Sequence, residues 1–275
     1  MSFVTSAATK KNATWDAAEY AAHSAVQQAW ARELITQLHL RGDEDVLDVG
    51  CGDGKVTAEI AQAVPRGSAT GTDLSPQMIE FARKTFPRTK NPNLDFQVMD
   101  ARRLRFDRIF DLLFSNAALH WVDDHPAFLA GAAACLRPGG RLVVSCGGKG
   151  NAHDVYLALR PELRLKRWRN FFRRMDKPYF FHRPAEYEKW LPRHGFKINR
   201  VRLAPKNAVY AGRAGFAAWL RTTWLPYTQR VPENLREEFI DAVVGRYVAK
   251  HPPDAEGRVH VKMVRLEIDA EKSDT

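Results

Sequence analysis

The chain has 275 residues, and its 42 Lys and Arg residues against 32 Asp and Glu residues give a formal net charge of +10. This length and a hydrophobic content of 45% predict one large globular domain, or one domain with a sizeable insertion, around a substantial core. No apolar run approaches the roughly 18 residues that cross a bilayer, so we expect no membrane span. The positive charge is compatible with nucleic acid, an acidic membrane surface or an anionic small substrate as partner.

The first residues and the cysteines carry no targeting or redox signal. Residues 1–14 are rich in Ser, Ala, Thr and Lys, which predicts disorder, and no apolar run follows the early lysines, so we expect no secretory leader. Cys51, Cys135 and Cys146 lack the spacing of metal ligands or redox pairs. We therefore expect no metal site, reduced thiols and a cytoplasmic location.

Residues 15–40 have the apolar spacing of helices. Tyr20, His23 and Gln27 fall on one helical face. Either these three side chains point together into an active site, or they are half-buried polar residues that pack on the domain.

The stretch from residue 46 to residue 54, Val-Leu-Asp-Val-Gly-Cys-Gly-Asp-Gly, organises the predicted fold. Its first four residues predict a short buried strand, a glycine turn follows at once, and residues 55–64 have the apolar spacing of a helix. Strand, glycine turn and helix in this order are typical of a nucleotide-type site at the carboxyl end of a parallel strand. A structural turn that binds nothing is the alternative.

The charge of this loop selects the type of ligand. A dinucleotide would bring an anionic pyrophosphate to the turn, where Asp48 and Asp53 would repel it. The cationic amino-acid part and the sulfonium of S-adenosylmethionine (SAM) would be attracted instead, so we expect SAM as the cofactor. Cys51 is interpreted as a small residue of the loop and not as a nucleophile, because no base lies near it in the pattern.

The strands that follow end on further acceptor groups. Residues 68–73 predict a second strand that ends on Asp73, 23 positions after Gly50. This is close to the spacing at which an acid of strand two meets ribose hydroxyls. Residues 94–98 predict a third strand, after which Asp100 could accept a hydrogen bond from an adenine amino group.

Local signals also predict the other elements of this half. They are a helix over residues 74–86, a fourth strand over 110–116, a tight turn over 137–140 and a fifth strand over 141–145. Ser75 is the expected N-cap of the helix, Pro76 its first residue, and Met78 lies on its apolar face.

These residues resemble the class I SAM-dependent methyltransferases, strongly over residues 40–150. The acidic glycine loop, the acid that ends strand two, Asp100-Ala101 and the Pro-Gly-Gly turn before strand five carry the resemblance. It implies a three-layer, Rossmann-like α/β fold, with a mostly parallel sheet of seven strands, the last one antiparallel, and helical lid insertions. It also implies a SAM-binding core over residues 41–150, with helices of residues 15–40 closing over the cofactor. The residues expected to bind the cofactor are Asp48, Gly50, Cys51, Gly52, Asp73, Leu74, Met78, Asp100, Ala101 and Asn116.

Within this class, residues 115–122, Ser-Asn-Ala-Ala-Leu-His-Trp-Val, and the N-terminal segment with Tyr20 and Gln27 are similar to trans-aconitate and juvenile hormone acid methyltransferases. Those enzymes methylate small carboxylic acids. The resemblance therefore implies methyl ester formation on a carboxylate oxygen of a small, anionic molecule. The alternatives are N- or C-methylation of another small metabolite, methylation of RNA or protein, and SAM binding without chemistry.

His120, Trp121 and Gln27 are the expected catalytic residues. Trp121 could form an apolar wall with a cation–π contact to the sulfonium, or it could be plain core packing. His120 could hydrogen-bond the substrate or a cofactor carboxylate. It would be needed as a base only for hydroxyl or amine substrates, because a carboxylate is already a nucleophile.

The segment from Asp154 to Met175 interleaves Arg and Lys with aromatic residues. Such a run is typical of a nucleic-acid or membrane surface, or of a helix with one solvated face and one core face. We favour the helix and expect no nucleic-acid partner, because no recognised RNA-binding module accompanies the segment. A further helix over residues 184–195 and the sixth strand, from residue 196, complete the region 151–205.

About fifty residues separate strand six from the last strand, which begins near residue 259 and shows a phase slip at Met263-Val264 that suggests a bulge. The residues between these two strands have helical patterning, which predicts an ordered substrate lid over residues 206–257. The last strand and tail follow over 258–275. Arg221 of this lid either holds a substrate carboxylate or caps its own helix and points to water. The residues expected to bind the substrate are Tyr20, Gln27, Trp121, Arg221, Trp224 and Tyr227. No feature of the sequence predicts an oligomeric state.

Overall fold

The computed structural model describes residues 25–107 and 109–274, and of residues 25–27 it describes the backbone alone. The expectations for residues 1–14, Tyr20 and His23 lie outside the described residues, as does that for the side chain of Gln27. Among the described residues, no helix is both long enough and apolar enough to cross a membrane.

One seven-stranded sheet forms the centre of the described part of the chain, in the order β3-β2-β1-β4-β5-β7-β6. Its strands are β1 (Asp45–Val49), β2 (Ser68–Asp73), β3 (Leu94–Val98), β4 (Phe110–Asn116), β5 (Leu136–Gly147), β6 (Phe196–Tyr210) and β7 (Val259–Lys272). Strands β1 to β5 pair in parallel, and β7 runs antiparallel to both β5 and β6. This is the predicted mixed sheet.

Helices cover the sheet and fill the connections. They are α1 (Ala25–Thr36), α2 (Lys55–Ala63), α3 (Pro76–Thr85), α4 (His125–Cys135), α5 (His153–Glu162), α6 (Pro184–Arg193), α7 (Gly212–Thr223), α8 (Leu225–Thr228) and α9 (Glu233–Lys250). Short 3₁₀ helices span Ala101–Arg103, Leu119–Trp121 and Arg169–Phe172.

The expected helix ends are confirmed where a local signal set them. The Ser75 hydroxyl accepts a hydrogen bond from the Met78 amide at 3.3 Å, with Pro76 in the first position of α3. Gly195 follows α6 with φ of +75°, a left-handed conformation that favours glycine at a helix C-terminus.

The core has one layer on each face of the sheet. Leu47 and Leu142 pack with Phe128 of α4 and Tyr187 of α6 on one face. Neighbouring residues of the same strands point to the opposite face, because successive side chains of a strand alternate, and there they pack with helices α1 to α3. This arrangement confirms the predicted three-layer α/β fold.

The expected turn at residues 137–140 lies inside the bounds of β5. Leu136 pairs with Phe110 and Arg141 pairs with Leu112, so four residues of β5 are accommodated opposite one residue of β4. Gly139 adopts φ of +69° in this irregularity. The strand therefore starts earlier than predicted, and the glycines interrupt its pairing.

Strands β6 and β7 are longer than predicted and continue beyond β5, whose pairing with β7 ends at Gly147 and Arg265. Residues 211–258 connect the two extended strands, and this segment is called the insertion below. Its helices pack on α5 through a largely aromatic cluster that includes Phe216, Trp219 and Phe239. The insertion is thus attached beyond the carboxyl end of β5.

The expected bulge at Met263 and Val264 is wrong, because pairing is continuous there and the register shift lies on β6 between Ile198 and Arg200. The apolar pattern changes phase because different faces of β7 are covered along its length. Val259, Val261 and Met263 pack with the insertion, whereas Leu266, Ile268 and Ala270 pack on the opposite face with α4 and α6.

The basic segment departs from the expected single helix. Helix α5 ends at Glu162, and the chain continues through turns to the 3₁₀ helix at Arg169–Phe172. Trp168 and Phe172 nevertheless pack with the insertion, while the basic side chains of the segment are exposed. The segment therefore has the expected core side and solvated side without a continuous helix.

Candidate active site at the carboxyl edge of the sheet

The loop after β1 lies against the loop after β4. Gly50, Gly52 and Gly54 have φ of +78°, +54° and +81°, which few other residues adopt. A Cβ atom on Gly50 would lie 2.1 Å from the Cβ atom of Ala118, so the two loops touch at this point. Ala117, with φ of +57°, is also left-handed. Strained backbone of this kind is concentrated at functional sites.

Asp73 connects the glycine loop to the loop after β2. One carboxylate oxygen accepts a hydrogen bond from the Gly52 amide at 3.0 Å, and the other accepts one from the Ser75 amide at 2.8 Å. Burial raises the pKa of Asp73, while these amides act in the opposite direction. Carboxylate oxygens accept more than one hydrogen bond each, so Asp73 keeps acceptor capacity for two vicinal hydroxyls.

Two large apolar side chains are exposed beside Asp73, which is unusual for a sheet edge. Leu74 is 52% exposed and Val98 is 49% exposed, whereas Met78 is buried. An adenine ring between Leu74 and Val98, with ribose hydroxyls on Asp73, would cover this surface. The residues present therefore fit the nucleoside of SAM.

Asp48 is buried and accepts a hydrogen bond from the Thr57 hydroxyl at 2.7 Å. Burial raises the pKa of Asp48 to about 7, the hydrogen bond from Thr57 lowers it, and the charge of Asp73 raises it further. Burial also raises the pKa of the Cys51 thiol far above its usual range. A buried thiol that resists ionisation is a poor nucleophile, in agreement with the interpretation of Cys51 as a loop residue.

Asp100 has protein partners that the sequence analysis missed. Its carboxylate caps the 3₁₀ helix by accepting from the Arg102 amide at 2.9 Å, and it pairs with the Arg102 guanidinium at 2.6 Å. Hydrogen bonding to Arg102 holds the pKa of Asp100 below its usual range. Arg102 also pairs with Asp123 at 2.9 Å. An adenine contact from Asp100 stays a prediction. It would use the lone pairs of the carboxylate that Arg102 does not occupy.

His120 is held as a neutral imidazole. The Gly147 amide donates to its Nδ1 atom at 3.3 Å, which places the ring proton on Nε2. Burial lowers the pKa of His120 to about 3, and the positive charges of Arg265 and His125 act in the same direction. The side chain can therefore donate a hydrogen bond from Nε2, but it is a weak base.

Trp121 joins an aromatic cluster made by distant parts of the chain. Its ring centroid lies 4.8 Å from that of Tyr179, which in turn lies 5.9 Å from Trp224 and 6.4 Å from Tyr227. The structure thus brings together three of the residues expected to bind the substrate. Tyr179 and its neighbour Tyr156 were missed, and their only signal was the aromatic content of the region after residue 151.

Arg221 has a protein partner in the insertion. Its Nε atom donates to Glu237 of α9 at 2.7 Å, and Nη2 makes a second bond to the same carboxylate. This differs from both expectations for Arg221, a substrate contact or a helix cap that points to water. A substrate-binding role stays a prediction, and it would require the guanidinium to exchange Glu237 for the ligand.

Arg265 is the polar residue of the site that sequence analysis missed. It is 4% exposed on β7, donates from Nη2 to the Asn116 side-chain oxygen at 2.9 Å, and donates from Nε to the Ser145 hydroxyl at 3.1 Å. The Cζ atom of Arg265 lies over the ring of Trp30 in α1, 5.5 Å from the ring centroid. Its sequence signal was an arginine at the phase slip of the last strand.

Comparison with known proteins agrees with this geometry. Residues 46–140 match the family described as a methyltransferase domain. Trans-aconitate 2-methyltransferase from Methylobacterium nodulans is 30% identical over 268 residues, covering 92% of this chain and 96% of the relative. The enzyme of the same name from Deinococcus radiodurans is 31% identical over 263 residues, covering 92% of this chain and 96% of its own.

A solved structure supports the fold. A putative methyltransferase from Bacillus halodurans superposes with a TM-score of 0.61 at 18% identity, covering 89% of this chain and 99% of that chain. With the glycine loop, Asp73 and the sheet order described above, these matches show that the chain belongs to the class I SAM-dependent methyltransferases, in the group of the trans-aconitate methyltransferases, and that its cofactor is SAM.

Proposed function

We propose that this methyltransferase forms a methyl ester on a carboxylate oxygen of a small, anionic acid. The observation that carries the proposal is the hydrogen bond from the Gly147 amide to Nδ1 of His120 at 3.3 Å, which leaves Nε2 as a hydrogen-bond donor and not as a base. The lowered pKa of His120 agrees with this assignment. Hydroxyl and amine acceptors must lose a proton in the course of the reaction, whereas a carboxylate is already deprotonated near neutral pH. The names of the two trans-aconitate 2-methyltransferases agree with such an acceptor.

The loops after β1, β2 and β3 would hold the cofactor. Gly50, Gly52 and the buried Asp48 shape the first loop, Asp73 would accept the ribose hydroxyls, and Leu74 with Met78 would contact the adenine. The expected contacts of Cys51, Asp100, Ala101 and Asn116 with the cofactor belong to the same proposal. When bound, SAM supplies an electrophilic methyl group on a sulfonium.

The residues after β4 would receive the acceptor. His120 donates from Nε2 to a carboxylate oxygen, and Trp121 fixes the direction of approach as a rigid wall. Trp224 and Tyr227, both buried, extend the wall and exclude water, which leaves a carboxylate less solvated and more nucleophilic. Tyr20 and Gln27 are assigned to the acceptor by the resemblance alone.

The pH dependence of methyl transfer tests the absence of a base. In an Asp48→Asn variant, which lacks the loop carboxyl whose pKa is about 7, and with trans-aconitate as the probe, we expect kcat to change little between about pH 6 and pH 9, because neither the acceptor nor His120 titrates in that range. A kcat that rises with pH through a single ionisation in that range would contradict the proposal, because a protein base would then be required.

A further inference from the structure

The segment that begins at the end of α5 concentrates positive charge in a short stretch of the chain. Residues 160–177 contain eight Lys and Arg residues against two acidic residues, a net charge of +6 within a chain whose net charge is +10. Like charges at this density repel one another and oppose compact folding. An anionic partner would relieve that repulsion.

The acidic side chains near this segment pair with other cations. Glu162 is buried and pairs with Arg246 at 2.6 Å, and Glu238 of α9 pairs with Arg167. In the described part of the chain, no ion pair is formed by six exposed cations of the segment, which are called the basic surface: Arg160, Arg164, Lys166, Arg169, Arg173 and Arg174. Their charge is therefore available to a partner.

The basic surface faces outward. The aromatic side chains of the segment pack with the insertion, so the cations remain on the solvent side. Arg160 and Arg164 lie three and seven positions after Leu157, which places these three side chains on one face of α5 and the helical turn that follows it. Arg230 of the insertion, also exposed, adds a cation next to the segment, because its Nη1 atom donates to the Phe171 carbonyl at 3.3 Å.

Two exposed leucines accompany these cations. Leu157 is 44% exposed and Leu165, between Arg164 and Lys166 in the chain, is 45% exposed. A nucleic-acid backbone offers phosphates to the cations but no apolar partner to the leucines. The boundary between the headgroups and the acyl chains of a membrane accepts both kinds of side chain. The leucines therefore favour a lipid surface over a nucleic acid.

We propose that the basic surface, together with Leu157 and Leu165, binds the headgroups of an anionic lipid membrane. The cations would be attracted by the negative surface potential, and the two leucines would enter the headgroup boundary. The binding is peripheral and reversible. It is independent of the proposed function, because none of these side chains is assigned to the cofactor or to the acceptor.

Co-sedimentation with vesicles tests the inference. The probes are vesicles of phosphatidylcholine alone and vesicles of phosphatidylcholine mixed with phosphatidylglycerol, which is anionic. We expect the wild type to bind the mixed vesicles at about 0.1 M NaCl and to be released at about 1 M NaCl, where the Debye length falls to about 3 Å. It should not bind phosphatidylcholine alone.

Two charge-matched variants locate the binding surface. The test variant changes three cations of the basic surface: Arg164→Gln, Lys166→Gln and Arg169→Gln. The control variant changes three exposed cations at the end of α3 and before β3, at the opposite edge of the sheet: Lys84→Gln, Arg88→Gln and Lys90→Gln. The test variant should bind mixed vesicles about 100-fold more weakly, since each cation contributes about fivefold, and the control should bind like the wild type. Thermal unfolding confirms that each variant folds.

A third variant separates lipid from nucleic acid. Leu157→Ser combined with Leu165→Ser keeps every charge and should weaken binding to mixed vesicles by about tenfold. Vesicle binding that is unchanged in this variant would contradict the inference, as would wild type that ignores mixed vesicles or equal losses in the test and control variants. Total RNA that the wild type binds more tightly than mixed vesicles at the same salt concentration, and that the leucine variant binds equally well, would assign the basic surface to nucleic acid instead.

Discussion

The cofactor half and the acceptor half of the site are held together by different kinds of contact. In the cofactor half, the loops after β1 to β3, Asp73 receives hydrogen bonds from amides 21 positions before and two positions after it. In the acceptor half, Trp121 reaches Tyr179 and then Trp224 through aromatic packing across more than a hundred positions. A cofactor that stays the same suits a site held by backbone contacts, whereas an acceptor that differs between enzymes suits a site built from side chains.

The comparison predicts that backbone changes are most damaging in the cofactor half. Gly50→Ala places a Cβ atom against Ala118 and forces an alanine to a φ of +78°, so we expect a loss of about 3 kcal/mol or more in unfolding free energy, with weak SAM binding. Chemical denaturation and calorimetry measure both quantities.

Gly195→Ala is the matched control for this change. Gly195 has a φ of +75°, but no atom lies within 4 Å of an added Cβ, so the expected loss is about 1 kcal/mol from backbone conformation alone. Equal losses for the two variants would mean that the contact between the glycine loop and Ala118 contributes nothing.

A side-chain change in the cofactor half tests Asp73. Asp73→Ala should weaken SAM binding by about 100-fold, because two hydroxyls lose a charged acceptor and the Gly52 and Ser75 amides lose the carboxylate that joins their loops. Asp124→Ala removes the carboxylate that caps α4, at 2.9 Å from the Ala127 amide, and should leave SAM affinity unchanged. If Asp73→Ala binds SAM in calorimetry as tightly as the wild type, Asp73 is not the ribose acid.

Lowering the pH should reduce the free energy of unfolding through His125 of α4. Burial lowers the pKa of His125, next to Tyr187, to about 4, and the charge of His182 acts in the same direction. The unfolded chain, with a histidine pKa near 6.5, takes up the proton first, so the stabilisation is present above about pH 6.5 and is lost as the pH falls toward 4.

The slope of unfolding free energy against pH in this window measures the effect. His125→Phe should flatten it by at most about 1.4 kcal/mol per pH unit. A slope that is identical in wild type and His125→Phe would show that His125 is not the group that titrates.

The smallest expected effect concerns Arg221. Its pair with Glu237 is partly exposed, so Arg221→Gln and Glu237→Gln should each lower the unfolding free energy by less than about 1 kcal/mol. A strong rise in the KM for the acid in Arg221→Gln, but not in Glu237→Gln, would show that Arg221 belongs to the acceptor half.

The sequence predicted those parts of the molecule that depend on near neighbours. The bounds of β2, β3 and β4, the Ser75 cap and the position of Asp73 follow from spacing within about two dozen residues. Arg265 was missed because its partners Asn116 and Ser145 lie 149 and 120 positions away, where no local pattern links them. The bulge expected at Met263 was wrong because apolar alternation reports which face is covered, and β7 is covered on different faces along its length.

Identification of the methylated atom tests the central claim most directly. The protein would be incubated with SAM labelled in its methyl group and, in parallel, with trans-aconitate, with an extract of small acids, with total RNA and with protein. The account predicts label in the small acids that mild base releases as methanol, as expected of a methyl ester. Label that resists base, or that enters RNA or protein and not the acids, would contradict it.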